Sequence, residues 1–334
     1  MEAGTERGRR RQEEGEKMKG INLILSNDVV EIRELVAQGF CPIECSIGGD
    51  SIVDDLKMDH HGSYSHLEAV SVRAYRDHFG ARSSDARFVT TGVADADCCF
   101  AAVALAGLLP HPNREVPEKT PPPVKASLTR DLIKLAETVG RVDVSPIGLN
   151  IPELPFGELL LTWNAMTAVT GRSNLGFYQG VGLWQSLTEG NPAQLNPFLR
   201  AAKEAEENRV AESLKDFDRA VDIDGVLLIK GSRVFGFPEW YGRVESEPFE
   251  SLKGWKHPVV MAHLERGRNI TLGCPNNSVA EELFGKGGLM AVFPHLQPAG
   301  WGGRESVCGS PRGVELTDEQ ADEAARVVSS LIKR

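Results

Sequence analysis

Short apolar runs and longer stretches of helical spacing alternate through the first half of the chain. INLIL at 21–25 reads as a buried strand, and Val29 to Gln38 has helical spacing that stops at Gly39. Residues 51–58 read as a strand leading into Asp59-His60-His61, and Leu67 to His78 as a helix ended by Gly80. FVTT at 88–91 is a further strand, followed by Asp95 and Asp97; Cys98 to Leu109 is a helix of small and apolar residues, predicted to be buried. HPNREVPEKTPPP is rich in proline and charge and reads as a surface loop, and Ser127 to Val139 as another helix. This alternation predicts an α/β domain, a mainly parallel sheet with helices on both faces.

The pattern then changes. Residues 155–220 read as helical, and 197–221 forms a long helix with Phe198, Ala202, Ala205, Val210, Leu214 and Phe217 near one face. Short strands follow at 225–230, 233–237, 259–265 and 270–273. Leu316 to Lys333 is an amphipathic helix with Thr317 as its cap and an acidic first turn. The expected organisation is a disordered tail (1–17), an α/β domain (18–195), an interdomain helix (196–221) and a smaller α+β domain (222–334). The tail, MEAGTERGRRRQEEGEK, lacks the apolar residues needed to offset ordering entropy and the apolar stretch of a signal peptide; Met18 is an alternative start.

Composition narrows the function classes. The 334 residues are 41% hydrophobic and 25% charged, ordinary for a soluble globular protein. No apolar run is long enough for a transmembrane helix, so a membrane role is not expected. A formal net charge of -10 argues against a duplex nucleic-acid face but leaves room for a small anionic substrate, because a metal ion supplies positive charge locally. The 6 cysteines show neither a disulfide framework nor a Cys-x-x-Cys pair, which points to a cytoplasmic compartment. Oligomeric state is left open, a dimer included.

Candidate chemistry sits in three places. In MDHHGSYS (58–65) the adjacent histidines project to different sides, so one of them readily ligates a given ion, while Asp59 orients a ring or binds metal itself. In GVADADC (92–98) two carboxylates one residue apart either converge on a cation or cap a helix. Asp143, in GRVDVSP, is a third carboxylate, placed after a helix. Together they suggest a divalent-metal site at one end of the sheet, with His and Asp ligands that suit Mn2+, Mg2+ or Zn2+.

With SIVDDLKM before it and the Asp-x-Asp and lone Asp beyond, Asp59-His60-His61 resembles the DHH phosphoesterase superfamily. That family joins a metal-binding domain to a smaller C-terminal domain whose glycine-rich motif helps hold substrate. GWGGR (300–304) and GSPRG (309–313) resemble that motif. The resemblance spans roughly residues 20–330, and only these short motifs are specific. It implies metal ligation, Mn2+ first, by His60, Asp95, Asp97 and Asp143, with Asp54 as the second-motif ligand (Asp50 and Asp55 being the alternatives). It places His61 at a substrate phosphate, beside Asp59, with Arg304 as the stabilising cation. Gly302, Gly303, Arg304 and Arg312 would contact the anionic substrate, and Trp301 reads as a stacking surface. Two features depart from the family. The Asp-x-Asp follows the DHH motif instead of preceding it, as in a permuted sheet. Thr91 also stands where the family has a histidine.

The expected activity is hydrolysis of a phosphoester or phosphoanhydride in a small molecule or short oligonucleotide, with one ion or two. The alternatives are a ligand-binding protein without turnover, and a metal enzyme that cleaves a different bond.

Overall fold

The computed structural model describes residues 20–47, 50–52, 58–61, 64, 67–81, 86–109, 122–144, 147–167, 173–189, 192–311 and 313–333. The chain divides into two compact units. The first takes the described residues up to Val144 together with Ile151–Ala202. The second takes those among Ser145–Asn150 and from Lys203 onward.

In the first unit the two apolar runs pair. β1 (Ile21–Leu25) and β5 (Ala86–Thr90) lie parallel with Leu23 opposite Phe88, and β2 (Cys41–Pro42) pairs parallel with the other side of β5, giving the order β1-β5-β2. Alternation along the strands splits the packing. Leu23 and Phe88 join the large cluster built on α3 (Ala96–Leu105), while Ile24 and Val89 meet Ile32 and Leu35 of α1 (Val29–Ala37). Helices thus cover both faces of a parallel sheet. The free edge of β1 is closed by α6 (Asn174–Glu189): Leu23 N–H donates to the Tyr178 hydroxyl (3.0 Å) and Leu25 N–H to Asn174 Oδ1 (2.7 Å).

Most of the strand expected at 51–58, residues 53–57, lies outside the described residues. Ahead of it, Ser46–Ile47 (β3) and Asp50–Ser51 (β4) form a two-residue antiparallel ladder. Helices dominate this unit. Every residue of α3 from Asp97 to Leu105 is buried, as expected for a helix apolar on all sides, and α2 (Val70–Asp77), α4 (Pro122–Val144), α5 (Gly157–Thr167) and α6 pack around it. Trp184 stacks on Trp163 at 5.6 Å and takes Phe100 edge-on at 5.4 Å. α7 (Pro192–Phe217) starts and ends earlier than its hydrophobic spacing suggests, Leu214 is exposed, and the division between the units falls within it.

The second unit holds six strands: β6 (Val221–Ile223), β7 (Val226–Ser232), β8 (Val260–Leu264), β9 (Ile270–Gly273), β10 (Gly302–Gly303) and β11 (Val307–Gly309). Their order is β10-β11-β9-β8-β7-β6, antiparallel except between β7 and β8. Asp224 and Gly225 both have positive φ (48° and 93°), the requirement of the two-residue hairpin turn that joins β6 to β7. The strand expected at 233–237 is absent. Gly236 ends that run and Phe237–Tyr241 forms the short helix α8, with Pro238 in its first turn where a missing N–H costs nothing. α9 (Asn277–Phe284) and α10 (Asp318–Leu331) complete the unit. Thr317 caps α10 in a reciprocal pairing with Gln320. No described helix is long and apolar enough to cross a membrane.

Candidate metal centre

Four side chains from four places in the first unit converge. Glu44 lies just past β2, His60 in the turn ahead of α2, Asp97 in the first turn of α3, and Asp143 in the last turn of α4. One ligand atom from each lies within 4.8 Å of all the others. His60 Nε2 is 2.6 Å from Glu44 Oε1, 3.1 Å from Asp143 Oδ2 and 3.8 Å from Asp97 Oδ2. Ligands sharing one ion at bonds of about 2.1 Å sit about 3.0–3.4 Å apart, so these separations bracket what a single cation needs. Glu44, His60 and Asp97 are buried, while Asp143 is 23% exposed. A buried Glu/His/Asp cluster that can hold a metal ion is therefore present.

Glu44 is the member that sequence reading missed. Its backbone is left-handed (φ 50°), a conformation costing a non-glycine residue about 1–2 kcal/mol. The turn is held from two sides. Glu44 N–H donates to Met58 O at 2.8 Å, next to the DHH motif, and the Thr91 hydroxyl lies 2.9 Å from Glu44 O. A lone carboxylate inside a buried run, with all of 41–45 buried, was the available signal.

The Asp-x-Asp pair divides its labour. Asp95 is the N-cap of α3, accepting from Cys98 N–H at 2.9 Å, while Asp97 turns into the cluster. Asp95 stands outside the four donors gathered within 4.8 Å, while Glu44, Asp143 and Asp97 all act on it electrostatically. Both Asp97 oxygens also accept backbone amides at the start of α2, Val70 N–H on Oδ2 and Ser71 N–H on Oδ1, each at 3.0 Å. The positive end of α2 thereby supports a buried charge. Asp143 lies within α4, which runs through Gly140 to Val144 instead of ending at Val139.

Asp59 and His61 form a second arrangement beside the first. Asp59 Oδ1 accepts both the His61 ring Nδ1 (2.9 Å) and the His61 backbone N–H (3.0 Å). Burial pulls the Asp59 pKa up, but hydrogen bonds from His61 and from Ser51 outweigh it and keep the group ionised. His61 is 31% exposed and groups with Glu44 and His60 within the same 4.8 Å limit. Arg73 of α2, another residue missed from sequence, clamps this turn by donating to Asp59 O (2.7 Å) and Glu68 O (2.8 Å).

Three carboxylates around one imidazole repel one another. Burial, then Glu44 and Asp143, push Asp97 up to about 7, and burial with Glu44, Asp143 and Asp97 raises Asp95 well above its ordinary value. For His60, burial alone favours the neutral ring, but hydrogen bonds to Asp143 and Glu44 reverse this and push it to about 10. The signs follow from linkage. Asp97 rises from 3.8, so the fold retains a proton that the unfolded chain releases, and stability falls as pH climbs through that window. His60 rises from 6.5, so its contribution is complete below that value and lost as pH passes about 10. Both run the same way. The melting temperature of chelator-treated protein is expected to fall between about pH 5 and pH 9, and metal-loaded protein to fall less because the cation replaces these protons. Identical pH profiles for the two forms would contradict this.

Asp54 and Arg312 fall outside the described residues. Gly302 and Gly303 form edge strand β10 in the second unit, where a Cβ at Gly303 would lie 2.2 Å from Val307 O. The glycine therefore serves a tight hairpin, closed by Arg304 N–H donating to Val307 O at 2.7 Å. Trp301 is 7% exposed and packs into the core of that unit, so it offers no stacking face. Comparisons of the chain with protein-family models, curated proteins and solved structures return no match.

Proposed function

We propose that this chain is a metal-dependent hydrolase of a phosphoester or phosphoanhydride in a small molecule or short oligonucleotide, built on a DHH-like centre. The observation that carries the reading is the donor set itself: Glu44, His60, Asp97 and Asp143 packed within 4.8 Å, with carboxylates whose mutual repulsion a divalent cation relieves. Their mix of one imidazole and three carboxylates fits Mn2+, with Mg2+ and Zn2+ as alternatives. When bound, such an ion supplies Lewis acidity and acidifies water.

The chain's own residues supply the rest. The partly exposed side chains, Asp143 and His61, mark the side from which water and substrate arrive. Asp59 accepts the Nδ1–H of His61 and fixes the tautomer, leaving Nε2 to take a proton from the attacking water or return one to the leaving oxygen. Thr91, in place of the family histidine, leaves no gap in this reading, because Glu44 brings a donor to the cluster. The part assigned to Arg304 rests on the glycine-rich resemblance alone.

One observation favours a second reading, a ligand-binding protein without turnover. Both Asp97 oxygens already serve α2 amides, which suits a static site. Metal analysis and a substrate panel separate the two. The hydrolase reading expects about one or two ions per chain and Mn2+-stimulated release of phosphate from pyrophosphate, nucleotide esters or dinucleotides. Bound metal with no turnover across the panel supports the second reading. Turnover that survives full chelation sinks the metal part of the first.

A further inference from the structure

We propose that Thr91 is a positioning residue for the metal centre that acts through Glu44; this rests on the metal reading above. Thr91 is buried just past β5 and its hydroxyl meets three backbone groups of one turn. Oγ1 lies 2.9 Å from both Glu44 O and Ser46 O, sharing its proton between them, and accepts Ser46 N–H at 3.1 Å. That turn carries Glu44 at φ 50°, the left-handed backbone from which its carboxylate reaches His60 Nε2. An L-residue leaves this conformation readily unless its neighbours hold it. The Met58 carbonyl ties down the Glu44 amide, and Thr91 ties down the Glu44 carbonyl. Together they fix the peptide groups on both sides of the Glu44 side chain. Without the hydroxyl, the turn relaxes and Glu44 swings from the position that a cation shares with His60.

Valine matches threonine in shape and removes only the hydrogen bonds. Titration calorimetry with Mn2+ alone, on the full chain, is expected to show Thr91→Val binding about 10–100-fold more weakly than wild type, the range for residues that orient ligands. Thr91→Ser, which keeps the hydroxyl, should return affinity to within about 3-fold of wild type. The decisive comparison is a double-mutant cycle. In a Glu44→Gln background, Thr91→Val should change affinity by less than about 3-fold, because the residue it acts through is already altered. General loss of stability would lower affinity equally in both backgrounds. Should the valine variant fail to fold, Thr91→Cys keeps the volume with weaker hydrogen bonds and completes the same cycle. Wild type taking up Mn2+ with Thr91→Val unchanged, or an undiminished loss in the Glu44→Gln background, overturns the inference alone. No Mn2+ uptake by wild type overturns the metal reading and this inference with it.

Discussion

Replacing His60 with alanine is expected to reduce bound metal to below about a tenth of the wild-type content, and hydrolysis by about 1000-fold or more. His60 is the hub of the cluster, its Nε2 within 4 Å of all three carboxylates Glu44, Asp97 and Asp143. Its removal deletes a ligand outright, a larger perturbation than loss of an orienting residue, which costs about 10–100-fold. It also strands three carboxylates, and breaking a buried charge pair costs about 3–5 kcal/mol. Metal content must therefore be measured on protein whose folding is checked by circular dichroism. Glu44→Gln gives a second reading with a smaller structural change. Unaltered metal content in folded versions of both variants would place the ion elsewhere.

What the sequence made legible follows from how local each signal is. Asp59-His60-His61 stands out as a contiguous string, and both histidines lie at the cluster. Asp143 stood out as a carboxylate without a packing role, although it closes a helix instead of following one. Glu44 offered only a lone carboxylate in an apolar run, because its importance comes from a left-handed turn and from Met58 and Thr91, contacts made 14 and 47 residues away along the chain. Thr91 looked like a missing ligand for the same reason. Spacing within the Asp-x-Asp could not separate the N-cap, Asp95, from Asp97, which joins the four-donor group. The apolar runs gave β1 and β5, because a short apolar run bounded by turns marks a buried strand.

Gly140, one residue past the end expected for α4, meets a packing requirement that leads to the second large effect. Gly140→Ala is expected to destabilise the protein by about 1–3 kcal/mol, the usual cost of overpacking, even though alanine is the better helix former by about 1 kcal/mol. α4 passes through Gly140, and the missing side chain lets the start of α2 pack directly against it. A Cβ there would lie 2.5 Å from Ala69 Cβ, 3.2 Å from Val72 Cγ2 and 3.3 Å from Ser71 Oγ. The nearest atom is itself a Cβ, fixed by the backbone, so no rotamer change relieves the contact. The helices must part, and both carry the metal centre. Asp143 lies three residues along α4, on the same face as Gly140, with Oδ2 at 3.1 Å from His60. On the other helix, Val70 and Ser71 supply the amides that hold Asp97. Separation by a few tenths of an ångström loosens both ligands, so Mn2+ affinity should fall about 10–100-fold alongside stability. Ala69→Gly removes the atom that Gly140→Ala strikes. Combining the two should restore most of both losses, a recovery that a defect intrinsic to α4 would not show. A stabilised Gly140→Ala protein with wild-type metal affinity would mean that helix propensity outweighs the contact and that α4 does not set the position of Asp143.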